Sequence, residues 1–173
     1  AFNRVMILQE PNISVGIVEH VPEIRGTFNG RFEVPTTVRL EGAFTVRYLD
    51  GRLVLFDDVG VEVMKGEDIR CRSLNGSTFT LNGVTIGINF HWERKEDQTF
   101  EGNVRFVATP EGSMSAINEI GVEDYLKSVI SSEMSAEAPF ELLRAHAITS
   151  RSWLVAMLHK QMRARNIGIP TLR

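Results

Sequence analysis

Asn-Gly and Asp-Gly pairs between short segments of apolar and β-branched residues constrain this chain more than any other feature. A type I′ turn needs positive φ at both central residues, and such pairs tolerate it. The pairs predicted to close β-hairpins are Asn29-Gly30, Asp50-Gly51 and Asn82-Gly83, with Asn75-Gly76 as a further turn. Apolar and polar residues also alternate around the second pair, as in a half-buried strand. A β-rich region is therefore predicted over 13–120, after an N-terminal extension over 1–12.

The pattern changes after Gly121, where apolar residues recur with helical spacing. A first helix is predicted over 122–130, because its apolar residues fall on one face: Val122, Leu126, Val129 and Ile130. Pro139 suits the first turn of a second helix, predicted to run to about Arg165. Small residues on several sides of this second helix predict neighbours all round, so we expect it to be long and largely buried. The predicted fold class is α+β, a β-rich body of hairpins followed by two helices, with 121–173 as a helical signature segment.

Length and composition exclude several classes of protein. With 173 residues the chain can bury a core of its own, and a formal charge of −3 gives no reason to expect nucleic acid as a partner. No apolar run approaches the roughly 18 residues of a membrane span. Cys71 is the single cysteine and the four histidines are scattered. The sequence therefore predicts no transmembrane segment, no metal and no cofactor.

One carboxylate stands out among the residues that could carry chemistry. Glu133 is predicted to lie in the loop between the two helices, close to Val129 and Ile130. Burial beside apolar side chains can keep a carboxyl group protonated near neutrality, as a general acid requires. The residues alone leave open a surface or capping role for Glu133. A hydrolase using Ser150 and His146 is disfavoured, because the sequence offers no nucleophile elbow and no third group.

The stretch from Gly121 to Leu158 resembles the signature of the stage II sporulation protein D family, which includes amidase-enhancer proteins of bacterial cell-wall lysis. The family pattern combines Glu-Asp-Tyr-Leu, Glu-Met-Pro and a helix ending in Ala-Ala-Arg-Thr-Tyr. It reads here as Glu123-Asp124-Tyr125-Leu126, Glu133-Met134-Ser135 and Ile148-Thr149-Ser150-Arg151-Ser152-Trp153. The spacing of 18 residues from Glu133 to Arg151 matches the family pattern. His146 stands at the usual glutamine of the pattern and Ser135 at the usual proline.

This resemblance implies a peptidoglycan lytic transglycosylase, which cleaves the MurNAc–GlcNAc glycan bond and leaves a 1,6-anhydro-MurNAc end. Glu133 is then the catalytic acid, and one carboxylate suffices because the C6 hydroxyl of the muramic acid is the nucleophile. Arg151, Tyr125 and His146 are expected to bind substrate or orient Glu133, although Arg151 could equally anchor a neighbouring element. The implied partner is the peptidoglycan glycan strand, in the bacterial cell envelope or periplasm.

The same resemblance supplies an alternative function and an expectation about length. The amidase-enhancer members imply a non-catalytic peptidoglycan-binding module that stimulates a partner cell-wall amidase. Zinc is reported for part of the family, but the cysteine and histidine pattern it needs is not found here. The family domain continues well past the helix arginine, whereas 22 residues (173 − 151) follow Arg151. We therefore expect 121–173 to be the first part of a longer catalytic domain.

Overall fold

The computed structural model of the chain describes residues 10–36, 39–87, 90–91, 93–135, 137–165 and 171–172. The chain forms two compact units. One unit is Val15–Glu119, and the other combines the chain up to Ser14 with Ile120–Leu172. Of the predicted N-terminal extension, residues 1–9 lie outside the described residues.

Antiparallel strands dominate the chain before Val122. The strands are β1 (Asn12–Val21), β2 (Glu23–Glu33), β3 (Arg39–Leu49), β4 (Arg52–Phe56), β5 (Glu62–Gly66), β6 (Asp68–Ser73), β7 (Thr78–Ile86), β8 (Arg94–Phe100), β9 (Asn103–Ala108) and β10 (Met114–Gly121), and a short β11 (Thr171–Leu172) follows the helices. Within Val15–Glu119 the sheet order is β10-β9-β6-β2-β3-β4-β5, and β7 pairs with both β2 and β8. With the helices α1 (Val122–Glu133) and α2 (Phe140–Arg165), these strands confirm the predicted α+β class.

The glycine pairs divide into turns and bulges. Asp50-Gly51 closes the β3–β4 hairpin with φ of 49° and 82°, and Asn75-Gly76 forms the turn before β7, as predicted. The other two hairpin predictions are wrong. Asn29-Gly30 lies inside β2 and Asn82-Gly83 inside β7, each at a shift in strand register. A glycine with positive φ serves a bulge as well as a turn, so these pairs bend long strands without reversing the chain.

Aromatic side chains form the centre of the Val15–Glu119 core. The Phe28 ring stacks on Phe32 at 4.6 Å and on Phe44 at 4.2 Å between centroids. Phe79 and Phe106 contact the same cluster edge-on. All five rings are buried. They come from the four strands β2, β3, β7 and β9, so their packing holds these strands together.

The first helix, α1, begins on a cap supplied from a distant part of the chain. Gly121, the residue before it, has no side chain to cap the helix. The Glu10 carboxylate instead accepts a hydrogen bond from the Glu123 backbone N–H at 2.8 Å. A carboxylate at this end also interacts favourably with the helix dipole. The helix continues three residues beyond the prediction, and Glu133 is its last residue rather than a loop residue.

The second helix, α2, is long, as predicted, but the expectation that it is largely buried is wrong. Between Phe140 and Lys160 only Leu154 and Leu158 are buried. Four large apolar side chains on this helix are exposed: Phe140, Leu142, Ile148 and Trp153. Small residues permit close neighbours, but in the described residues α1 covers only one side of α2, so the opposite face meets solvent.

Candidate active site

Glu133 and His146 meet where α1 and α2 pack against each other. Glu133 Oε2 lies 3.1 Å from His146 Nε2. Glu133 stands seven residues after the buried Leu126, two helical turns along the same face. His146 stands eight residues before the buried Leu154, again on one face of its helix. The helical period therefore points both side chains into the contact between the two helices.

The two side chains of this pair differ in exposure. The His146 side chain is 20% exposed and the Glu133 side chain is 57% exposed. The sequence predicts apolar burial around Glu133, but the side chain is mostly exposed. Glu133 instead differs from an ordinary surface carboxylate through its imidazole partner. That partner engages Oε2, and the Glu133 side chain as a whole is still more than half exposed.

His146 is held at both ring nitrogens. Its Nδ1 lies 3.4 Å from the Ser150 hydroxyl one helical turn later. With the hydrogen on Nδ1, the ring donates to Ser150 and Nε2 can accept a proton from a protonated Glu133. With both nitrogens protonated, the ring pairs with a Glu133 carboxylate. Ser150 belongs to the site although the sequence argument did not assign it this role, and its i+4 spacing from His146 was the available signal.

Tyr125 lies two helical turns before Glu133 on α1, and the two side chains interact electrostatically. Its phenol is half-buried. Burial, and to a smaller extent the charge of Glu133, raises the pKa of Tyr125. The phenol therefore stays neutral at physiological pH and adds no charge to the site.

Arg151 does not pair with Glu133. Its Nε donates to Glu123 Oε1 at 2.9 Å, and a second guanidinium nitrogen donates to Glu123 Oε2. The hydrogen bond and the charge of Glu123 raise the pKa of Arg151. This fork-shaped contact ties the first turn of α1 to the middle of α2. No local signal in the sequence indicated it, because 28 residues separate the partners.

The described residues contain no group of three or more His, Cys, Asp or Glu side chains that could hold a metal ion. Cys71 is buried in the β-rich unit, and burial raises the pKa of its thiol to about 12. A thiol of this kind stays protonated and is a poor metal ligand. None of the described helices combines the length and the apolar character that crossing a bilayer would require.

A family model and a curated relative match this chain. Residues 110–169 match the family model "Stage II sporulation protein". The chain is also 33% identical over 116 residues to an uncharacterized protein of Brachyspira hyodysenteriae (strain ATCC 49526 / WA1). That alignment covers 66% of this chain and 26% of the relative, so the chain spans about a quarter of the length of the curated relative it matches. No solved structure matches the chain.

Proposed function

We propose that this chain, which belongs to the stage II sporulation protein family through residues 110–169, is a peptidoglycan lytic transglycosylase. The family suggests a role related to the cell wall. The proposed substrate is the glycan strand, cleaved between MurNAc and GlcNAc, and the proposed location is the cell envelope or periplasm. The observation that carries the proposal is the Glu133 carboxylate, which contacts His146 through one oxygen while its side chain remains more than half exposed.

The proposed reaction needs one carboxyl group acting twice. Protonated Glu133 gives its proton to the glycosidic oxygen as the bond from that oxygen to C1 of MurNAc breaks. The C6 hydroxyl oxygen of the same sugar then bonds to C1, and its proton passes to the Glu133 carboxylate. The products are a 1,6-anhydro-MurNAc end and a GlcNAc hydroxyl, and Glu133 regains its proton. Because no water is activated, this reaction needs no second carboxylate, unlike an ordinary glycosidase.

In this proposal the other site residues serve the Glu133 carboxylate or the substrate. His146 orients Glu133 through its Nε2 contact. Neutral Tyr125 offers a hydroxyl for hydrogen bonds to sugar groups without adding charge. Arg151 acts at a distance, because its contact with Glu123 fixes the packing of the helices that carry Glu133 and His146.

The test is the release of anhydro-muropeptides or anhydro-glycans from purified sacculi and from peptide-stripped glycan strands, measured by mass spectrometry. We expect release by the wild-type protein and a loss of about 10²-fold or more in Glu133→Gln, the usual scale for removing a general acid. Glu137→Gln is the matched control, since it removes an exposed carboxylate four residues after Glu133, and it should leave release unchanged. Equal release by Glu133→Gln and the wild-type protein would refute the assignment.

The alternative, a non-catalytic module that enhances a cell-wall amidase, predicts a different result in the same assay. Such a module gives no anhydro ends alone, and it increases the release of stem peptides when an amidase is added. A transglycosylase gives anhydro ends without the amidase. The contact between Glu133 and His146 favours the enzyme, because a binding module does not need a carboxylate paired with an imidazole.

A further inference from the structure

We infer that Glu133 and His146 share one exchangeable proton, so that the pair, rather than Glu133 alone, sets the pH range of glycan cleavage. This inference rests on the proposed function and deepens it. The contact joins Glu133 Oε2 to His146 Nε2 at 3.1 Å, a hydrogen-bonding distance. One proton between these atoms can lie on either side, as a carboxylic acid beside a neutral ring or as a carboxylate beside an imidazolium.

The surroundings of the ring suit it to hold this proton. Ser150 Oγ lies 3.4 Å from Nδ1, and a hydroxyl can accept from a protonated Nδ1 in either state of the pair. The ring is the less exposed partner, and it has a contact at each nitrogen. Glu133 is the more exposed partner. The pair therefore has a less exposed group, the ring, that can hold a proton and a more exposed group, the carboxyl, that can deliver it.

The other charged groups named below on the two helices are paired with one another or are exposed to solvent. On α1, Tyr125 is neutral and Glu123 is paired with Arg151 of α2. Asp124 forms an ion pair with Lys127 on the exposed side of α1. Glu141 and Arg144 of α2 are exposed. Glu133 is therefore the charged group that the described structure brings into contact with His146.

The shared proton changes the first step of the proposed reaction as follows. As the bond from C1 to the glycosidic oxygen breaks, the shared proton passes from the Glu133 carboxyl group to the leaving oxygen, which leaves a Glu133 carboxylate beside a neutral His146 ring. When the C6 oxygen bonds to C1, its proton passes to Glu133 and is again shared with His146. One proton leaves the pair and one returns, so the cycle balances without a further reactant.

Replacing His146 by Gln distinguishes the two roles of the ring, which are to orient the Glu133 carboxylate and to hold the shared proton. A glutamine amide can donate to Glu133 Oε2, but it cannot bind a proton. We expect His146→Gln to fold and keep activity at acidic pH, while the alkaline limb of its pH–rate profile moves acidward by about one pH unit or more. His159→Gln makes the same substitution elsewhere on α2 and should keep the wild-type profile. A purely structural role for His146 would lower activity equally at every pH.

An NMR titration tests the shared proton without any substrate. The ring resonances of His146 should show a second inflection as Glu133 titrates, and this inflection should be absent in Glu133→Gln. A single inflection, identical in the two proteins, would overturn the inference even if the wild-type protein is active. An unchanged pH profile in His146→Gln would also overturn it. Two inflections in a protein that releases no anhydro product would refute the proposed transglycosylase instead.

Discussion

Arg151 donates two hydrogen bonds to Glu123 near the start of α1, whereas Glu133 at the end of the same helix contacts His146. The two carboxylates of α1 therefore have separate partners on α2. A guanidinium beside Glu133 would favour its ionised form and oppose an acid role. Arg151 contacts Glu123 instead, and this contact ties the start of α1 to α2.

The Arg151–Glu123 contact should affect the stability of the protein more than the pH range of any reaction. Substituting Arg151 by Met, Glu123 by Gln and both together should give a small favourable coupling in urea unfolding, because the two side chains are about half exposed. The coupling should shrink in high salt. If Arg151 instead contacts the reacting groups, Arg151→Met will abolish release of anhydro products without changing the unfolding midpoint.

The sequence predicts the local part of this site and misses the contacts between distant residues. Helical spacing and the carboxylates of the first turn are local, so both helices follow from the pattern between Gly121 and Arg165. The partners of Arg151 and His146 depend on how two helices rotate against each other, which the spacing along one chain does not fix. The exposure of Glu133 differs from expectation for the same reason, since burial depends on neighbours that the local sequence does not specify.

In the β-rich region, too, the sequence predicts some features correctly and misses others. The Asp50-Gly51 pair lies between two segments in which apolar and polar residues alternate, and this pattern specifies a turn. The structure confirms that turn. Asn29-Gly30 and Asn82-Gly83 have the same local chemistry but serve bulges. The choice between turn and bulge depends on whether the flanking residues pair with each other or with a third strand. In β2 both flanks of the pair lie against β3, and in β7 both flanks lie against β8, so the local residues do not decide it.

Glu10 should stabilise the helix that carries Glu133. Its carboxylate accepts from the Glu123 N–H at 2.8 Å, and Gly121 leaves room for it. We expect Glu10→Ala to lower the free energy of unfolding by about 1 kcal/mol, the usual worth of a side-chain cap. Urea unfolding followed by far-UV circular dichroism measures this loss. An unchanged stability would mean that water caps the helix equally well.

Gly121 provides a second test of the same cap. Its φ of −65° is ordinary for any residue, so alanine there introduces no backbone strain. An added Cβ would lie 2.6 Å from Glu10 Oε1, which must then move away from the helix end. Gly121→Ala should therefore destabilise the wild-type protein but have little further effect in a Glu10→Ala background. Additive losses in the double variant would show that the glycine is needed for another reason.

Asp68 should make the stability of the β-rich unit depend on pH. Arg70 and Arg105 stand opposite each other on β6 and β9, and Asp68 accepts from Arg105 at 2.8 and 2.5 Å. The hydrogen bond from Arg105, followed by the charges of Arg105 and Arg70, outweighs burial and lowers the pKa of Asp68 below its ordinary 3.8. The stabilisation from this ion pair is therefore complete at a pH above the ordinary pKa of Asp68. It is lost as the pH falls through the lowered pKa of Asp68 in the folded protein.

The measurement for Asp68 compares wild type with Asp68→Asn in urea at pH 7 and at pH 2. At pH 7 the variant should be less stable, by under about 1 kcal/mol because the pair is partly exposed. At pH 2 the difference should narrow, since the wild-type carboxyl group is then increasingly protonated. An equal difference at both pH values would mean that asparagine alters packing rather than charge.

Gly26 should be the least replaceable glycine of the β-rich unit, because two strands approach it closely. A Cβ there would lie 2.2 Å from the Thr80 carbonyl oxygen and 2.7 Å from the Phe44 ring. Neither group can withdraw easily, since one is sheet backbone and the other is a buried ring stacked on Phe28. Gly26→Ala should therefore lower the free energy of unfolding by about 2 kcal/mol or more, the scale of an overpacked core.

Gly66→Ala is the matched control, because its Cβ would lie no closer than 3.6 Å to backbone atoms of Asp68. Similar unfolding midpoints for the two variants in urea would show that β2 and β7 separate at little cost. Tight packing would then not explain the glycine at position 26.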